Sequence, residues 1–388
     1  MPMRILIVDD NPMNIMVVRE ILKKAGYARI GTAESADDMF QMLGMREPAA
    51  PPSPNYDLIL LDMMMPGIDG IEACRRIQQS DRLREIPVIM VTAVGDSLKL
   101  AEALDAGACD FVTKPINRIE LLARIRAALR LKTEKDWHKE RDRRLREELE
   151  LARQVQLSAL PPPLDDPRLS IQGLYCPADD LAGDLYAWYK IDHHRYGIAI
   201  IDAMGHGISS SLVCMFVASA LRDAILTRVN PEYVVRELNR RMMQLQFTNP
   251  LLHYYFTCLY AVVDTERETV EYVNAGHPPG LLTRGDGSPP VRLERSCVAL
   301  GLFEPLEVEK RIQPIGPGDR LFLYTDGVLE SLDSADEQRV ERLLDVLVHT
   351  SASPAELQER LFRKAGADTR QDDRCLVVVE MKKGAQLE

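Results

Sequence analysis

Apolar residues at the start of the chain fall into five short runs: ILIVDD at 5–10, ARIGTAE at 28–34, YDLILLD at 56–62, IPVIMVTA at 86–93 and CDFVTKP at 109–115. Helical patterns separate them, and this alternation predicts a doubly wound, five-stranded parallel sheet covered on both faces. One long helical pattern then runs from Ile116 to Leu160 and is stopped by Pro161, Pro162 and Pro163. Its first part, to Leu131, has the apolar spacing of a helix packed on that sheet, whereas Thr133 to Glu150 is charged and balanced in sign. Farther on, strands are expected at 169–179, 196–201, 254–264, 269–274, 320–324 and 376–380, and helices at 208–229, 231–246 and 353–365. Ser209, Ser210 and Ser211 stand where they would cap the first of these later helices.

In an open α/β sheet the ligand site lies beyond the carboxyl ends of the strands. Those positions hold Asp9, Asp10, Asp62, Thr92 and Lys114. Three carboxylates at one sheet end repel each other unless a divalent cation sits among them, and a lysine balances what remains. A carboxylate nucleophile, a cation, a hydroxyl and an ammonium together suit a phosphoryl group. Any one strand-end Asp also reads as a helix cap or turn residue. As a set, in the order Asp9-Asp10, Asp62-Met63-Met64-Met65-Pro66-Gly67-Ile68-Asp69-Gly70, Thr92-Ala93 and Lys114-Pro115, these residues resemble the receiver domain of two-component response regulators. The resemblance implies that Asp62 accepts phosphate from a histidine kinase, a phosphotransfer protein or a small phosphodonor. It further implies Mg²⁺ held by Asp10, Asp62 and the Met64 carbonyl with support from Asp9, and Thr92 and Phe111 as the switch pair. The plainer reading of Phe111 is a core residue of the last strand. One departure is the proline-rich stretch at 47–55, read as a solvated loop.

The second half repeats the strand-end acid. Asp184 and Asp202 flank one expected hairpin, Asp326 closes LFLYTDG, and Asp372 with Asp373 precedes CLVVV. An acid at the end of a buried strand needs a positive or hydrogen-bonded partner. Such carboxylates without a Cys or His cluster suit hard cations, Mg²⁺ or Mn²⁺. Each Asp-Gly alone would be read as a turn. The sequence of GD, DAMGHG, NAGHPP, LYTDG and DDR resembles the metal-dependent serine/threonine phosphatases of the SpoIIE-like branch, over about Arg168 to Met381. Ala182 stands where that family usually has a glycine. The resemblance implies a two-layer α/β sandwich with antiparallel sheets and two Mn²⁺ or Mg²⁺ ions. Asp202 would bridge them, with Asp184, the Ala203 carbonyl, Asp326 and Asp372 completing the set; Asp373 is the alternative to Asp372. His206 and His277, between Gly or Pro residues, read as structural turn residues. No Cys or Ser nucleophile has a base at recognisable spacing.

The expected domains are therefore a receiver at 1–131, a helical linker at 132–163 and a phosphatase domain at 164–388. Leu131, His138, Leu145 and Ala152 repeat at heptad spacing along the linker, which would pair two copies as a homodimer; an exposed single spacer helix is the other reading. With 48 basic against 59 acidic residues the net charge is −11, which disfavours a nucleic-acid partner. Seven scattered cysteines without CxxC spacing fit reduced core residues. No apolar run reaches the ~18 residues of a membrane helix. These features give the expectation of a cytoplasmic protein without a membrane partner. The resemblances imply two functions. One is a response regulator, controlled by phosphorylation of Asp62, whose output domain resembles phosphatases that act on a phosphorylated anti-sigma factor antagonist. The other is a non-enzymatic adaptor, since the same layout of receiver, helix and phosphatase-like domain also resembles adaptors of the RssB kind, which bind a sigma factor and deliver it for proteolysis.

Overall fold

The computed structural model describes residues 3–45, 56–93, 97–205, 207–245, 254–332, 338–349, 354–362 and 372–383. The stretch at 47–55 and His206 lie outside them. The chain divides into two compact units, Met1–Leu145 and Arg146–Glu388.

The first unit runs β1 (Arg4–Val8), α1 (Pro12–Lys24), β2 (Arg29–Ala33), α2 (Ala36–Met42), β3 (Leu58–Asp62), α3 (Gly70–Gln79), β4 (Val88–Ala93), α4 (Ser97–Asp105) and β5 (Asp110–Lys114). The strands form one parallel sheet in the order β2-β1-β3-β4-β5. Alternate residues of β1 and β3 feed different cores: Leu6, Val8, Ile59 and Leu61 on one face, Ile5, Ile7, Leu58 and Leu60 on the other. Burial on both faces is why these strands read as unbroken apolar runs. Helices start where the sequence supplies caps, with Asn11, Ser35 and Asp69 accepting from the backbone N–H of Met13, Asp38 and Glu72. Strand order reverses between β1 and β3, which leaves a crevice at their carboxyl ends.

Helix α5 (Arg118–Ala159) is continuous over 42 residues and crosses the boundary between the units. Along it Leu131, Trp137, Leu145, Leu151 and Val155 are exposed.

The second unit continues with β6 (Leu164–Asp165), β7 (Leu169–Cys176), β8 (Asp184–Lys190), β9 (Arg195–Ala203), α6 (Ile208–Thr227), α7 (Pro231–Met243), β10 (Phe256–Asp264) and β11 (Thr269–Ala275). After these come β12 (Gly280–Thr283), β13 (Val291–Leu293), β14 (Arg311–Pro314), β15 (Arg320–Tyr324), α8 (Asp326–Glu330), α9 (Arg339–His349), α10 (Pro354–Leu361) and β16 (Arg374–Met381). Two antiparallel sheets result, β14-β11-β10-β9-β8 and β13-β12-β15-β16-β7-β6. They face each other across a core that includes Tyr196, Ile198, Ile200, Leu259, Leu323 and Val377.

The expected two-layer sandwich is thus corrected to four layers. Ala199 and Ile201, the alternate residues of β9, are buried beneath α6 and α7. On the other side Phe322, Tyr324 and Leu376 are covered by Val328, Leu343, Leu347 and Leu357 of α8, α9 and α10. Full burial of each large aliphatic side chain contributes about 1.5–3 kcal/mol, so both faces of β9 hold the fold.

Helix α6 corrects a second expectation, because its 20 residues are long and apolar enough for a membrane span. Half of that window is buried, and Val213, Cys214, Val217 and Leu221 pack into the core under the first antiparallel sheet. The serines do not cap it either. Gly207 is the N-cap without a side-chain bond, and the Ser210 and Ser211 hydroxyls donate to the carbonyls of Gly207 and Ile208.

Candidate metal centres

In the first unit the carboxyl ends of β1, β3 and β5 bring Asp9, Asp10, Asp62 and Lys114 together. One oxygen of each of the three acids lies within 4.8 Å of the others, and among the described residues this is the one such acidic group. Lys114 Nζ donates to Asp9 Oδ2 at 2.9 Å and to Asp62 Oδ1 at 2.8 Å. Asp9 also accepts from the Asn11 amide and the Asn14 side chain, so its oxygens are occupied. Asp10 is exposed and open to a ligand. Burial pushes the Asp62 carboxyl above its usual range; Lys114 opposes this and Asp9 adds to it. That balance fits a Mg²⁺ ion at Asp10 and Asp62, because a cation removes the repulsion that one ammonium leaves.

Thr92 is buried on β4, its hydroxyl donating to the Ala93 carbonyl at 3.1 Å with Met63 Sδ at 3.4 Å. Phe111 on β5 is half-buried beneath the Arg124 guanidinium, 5.4 Å from its ring. Met64, two residues after Asp62, is exposed between the buried Met63 and Met65. Gly70 closes the turn by necessity, since a Cβ there would lie 2.1 Å from the Asp62 carbonyl oxygen.

In the second unit Asp184 opens β8 and stands directly opposite Asp202 at the end of β9. On the other side of Asp202, Thr257 of β10 is its partner in register. From the facing sheet come Asp326, after β15, and Asp372 and Asp373, before β16. A Cβ on Gly327 would lie 2.1 Å from the Asp373 carbonyl oxygen, so only glycine lets the two segments meet. The acids sense one another. Burial and then Asp202 push the Asp184 carboxyl far up; burial, Asp326, Asp372 and Asp373 push Asp202 up to about 7; burial and Asp372 raise Asp326.

The residues fit divalent cations on two counts. Asp184 is 4% exposed, yet its Oδ2 meets no hydrogen-bond partner. A buried carboxylate oxygen without a donor is costly, and a cation removes the cost. The set also consists of carboxylate oxygens, the donors that hard divalent cations take, and among the described residues no three of these acids lie within 4.8 Å of one another.

The adjacent acids Asp372 and Asp373 differ sharply. Asp373 is 2% exposed, and its two oxygens accept from the backbone N–H of Ala178 and Gly183, each at 2.7 Å. Asp372 is exposed, with one oxygen free for a ligand after Oδ1 accepts from the Asp373 amide. Arg374 turns away, donating to the Leu361 carbonyl with its guanidinium over Phe362. The Ala203 amide donates to the Gly183 carbonyl, which ties both ends of the hairpin.

Three groups at this site carry little signal in the sequence. Gln156 of α5 is 3% exposed; its Nε2 donates to the Ala182 carbonyl at 2.7 Å and its Oε1 accepts from the Ala182 amide at 3.1 Å. Thr325, fully buried, accepts from the Cys375 amide and also hydrogen-bonds Asp184. His277 is fully buried between Thr257 and the Tyr324 carbonyl, and burial pushes its imidazole down to about 3, so it is neutral.

Comparison with known proteins follows this division. Residues 5–126 match the response regulator receiver domain family, and residues 192–382 match the family of stage II sporulation protein E. The phosphoserine phosphatase RsbP of Bacillus subtilis is 36% identical over 240 residues, 61% of this chain and 58% of RsbP. The chain thus spans little more than half the length of that relative. The transcriptional regulatory protein AfsQ1 of Streptomyces coelicolor is 40% identical over 130 residues, 34% of this chain and 52% of AfsQ1. Among solved structures, the SiaA-PP2C domain of Pseudomonas aeruginosa aligns with a TM-score of 0.49 at 20% identity, covering 62% of this chain and 98% of that domain. The chain joins a response regulator receiver domain to a domain of the stage II sporulation protein E family.

Proposed function

We propose that the chain is a response regulator whose output domain is a metal-dependent serine/threonine protein phosphatase, switched by phosphorylation of Asp62. The observation that carries this reading is the convergence of Asp184, Asp202, Asp326 and Asp372 from two facing sheets, with a buried, unpartnered oxygen on Asp184. Two Mn²⁺ or Mg²⁺ ions held there would lower the pKa of water and shield the phosphoryl oxygens. Asp202, Asp184, the Ala203 carbonyl, Asp326 and Asp372 are the groups that would hold the ions. Asp373 is the clamp that fixes Gly183 and Ala178. Cys214, Cys258 and Cys375 are buried, and burial pushes each thiol up, so none is poised as a thiolate nucleophile.

In the receiver Asp62 is the phosphoacceptor, Thr92 and Phe111 the switch pair, and Asp9, Asp10, Asp62 and the Met64 carbonyl the Mg²⁺ site. The phosphodonor is a histidine kinase or phosphotransfer protein. The substrate is a phosphorylated anti-sigma factor antagonist in the cytoplasm, which the likeness to a phosphoserine phosphatase supports. Control reaches the catalytic acids through α5, whose Gln156 holds Ala182 two residues from Asp184. The exposed Leu131 and Leu145 on that helix offer a seam for pairing with a second copy.

Mn²⁺-dependent release of phosphate from a phosphoserine protein and from a chromogenic phosphoester tests the reading. Asp202→Ala should abolish both while leaving the thermal transition in place. Undiminished turnover in that variant, or none in the parent, overturns it and leaves the adaptor.

A further inference from the structure

The two antiparallel sheets each deliver part of the acidic cluster, so something must hold their ends at a fixed separation. Asp202 ends β9 in one sheet, and Asp326 follows β15 in the other. At this end the neutral imidazole of His277 spans the gap, beside Thr325, which reaches Asp184 from the facing sheet. His277 Nε2 lies 3.0 Å from the Tyr324 carbonyl oxygen, two residues before Asp326. A carbonyl only accepts, so Nε2 carries the proton and Nδ1 is the acceptor. Nδ1 lies 2.7 Å from the Thr257 hydroxyl, and Thr257 is directly opposite Asp202 across the β9–β10 ladder.

The imidazole is itself held from behind. Its backbone N–H donates to Asn274 Oδ1 at 2.9 Å, while Asn274 Nδ2 donates to the carbonyls of Pro278 and Leu293. Both Asn274 and His277 are fully buried, and with two fixed hydrogen bonds the ring has one orientation. Because both ring nitrogens are engaged in these hydrogen bonds, His277 is not read as a general acid or base. Its bonds instead connect the partner of Asp202 to the segment that presents Asp326.

We propose that His277 and Thr257 form a cross-sheet strut, positioning residues that set the distance between Asp202 and Asp326 and thereby the affinity for the paired cations. The proposal rests on the reading of those acids as metal ligands. Groups that orient ligands in this way typically change metal affinity by about 10–100-fold when removed. The Thr257 hydroxyl is the cleanest point of attack, since valine keeps its shape and removes only the bond.

The test is direct Mn²⁺ binding to the metal-free full chain by calorimetry, with phosphoester turnover followed in parallel. Thr257→Val should weaken Mn²⁺ binding about tenfold, raise the Mn²⁺ needed for half-maximal turnover by the same factor, and leave the KM for the phosphoester within about twofold. Thr257→Ser, which keeps the hydroxyl, should bind as the parent does, and His277→Gln should follow Thr257→Val. Parental Mn²⁺ binding in Thr257→Val overturns the strut, as does equal loss in Thr257→Ser or a loss that merely follows a fall in Tm. A parent that binds Mn²⁺ but hydrolyses no phosphoester defeats the phosphatase reading, while the binding comparison still decides the strut. A parent that binds no Mn²⁺ defeats both.

Discussion

Gln156 and Ala182 make a closed pair of hydrogen bonds, side-chain amide to backbone amide, at 2.7 and 3.1 Å. Both ends are buried, and the next residue, Gly183, donates to Asp373 while its carbonyl accepts from Ala203. A buried peptide group that loses its partners costs about 1–3 kcal/mol. Gln156→Leu should therefore loosen the segment that leads to Asp184. We expect turnover to fall at least tenfold, and phosphorylation of Asp62 to lose its influence on the remainder. Phosphatase assays with and without acetyl phosphate measure both; a variant that still responds to the phosphodonor removes α5 from the route.

Gly327 admits no side chain, because a Cβ would press on the Asp373 carbonyl. Gly327→Ala must push apart the segments that carry Asp326 and Asp372. Overpacking of this kind costs about 1–3 kcal/mol. The expected result is a lower Tm together with a loss of Mn²⁺ affinity, read by calorimetry on the folded variant.

Among the described residues, Lys114 is the one cation that bridges Asp9 and Asp62. Both acids are buried, so Lys114→Met leaves their repulsion uncompensated. A loss of about 2 kcal/mol is expected in the receiver's urea transition in EDTA, reduced from the fully buried case because the lysine retains some solvent contact. Mg²⁺ should restore part of it, since it neutralises the same oxygens. Phosphorylation of Asp62 by acetyl phosphate should also slow.

The metal-free output domain should show an inverted acid response. Burial and three neighbouring acids hold Asp202 up to about 7, whereas an unfolded carboxyl titrates near about 4. Between those values the folded state retains a proton that the unfolded state releases. The stability from that proton is complete below about 4 and is lost as pH rises through about 7. In EDTA the Tm should fall across this window, and Asp202→Asn should flatten the curve. Saturating Mn²⁺ should also abolish the fall. An unchanged slope in Asp202→Asn would assign the effect elsewhere.

The receiver was readable from sequence because much of its information is local: β1, β3 and β4 are largely apolar runs, and the candidate site residues stand at or just beyond the ends of β1, β3, β4 and β5. Four of the five observed strands fall within the predicted runs, and β1 begins one residue ahead of its own, at Arg4. The hairpin that places Asp184 opposite Asp202 was legible for the same reason, as were α6 and α7. Strands β12, β13 and β14 were not anticipated. They are three or four residues long and become strands only through partners distant in the chain, such as Leu282 beside Leu321. The four-layer arrangement escaped because a strand buried on both faces does not reveal what covers each. Gln156 looked like one polar residue among many on a charged helix, and its burial depends on Ala182, 26 positions away. The roles of Asp372 and Asp373 were undecidable locally, since the donors that distinguish them come from Ala178 and Gly183.

That last distinction makes the end of β16 intolerant of shifts. Neighbouring side chains in extended backbone point in opposite directions, so sliding this segment by one residue would exchange the two carboxylates. The tether for Gly183 would then face water, and the oxygen meant for solvent would be driven among backbone amides. A single-residue insertion or deletion just ahead of Arg374 should thus be as damaging as removal of either acid, although both would still be present in the chain.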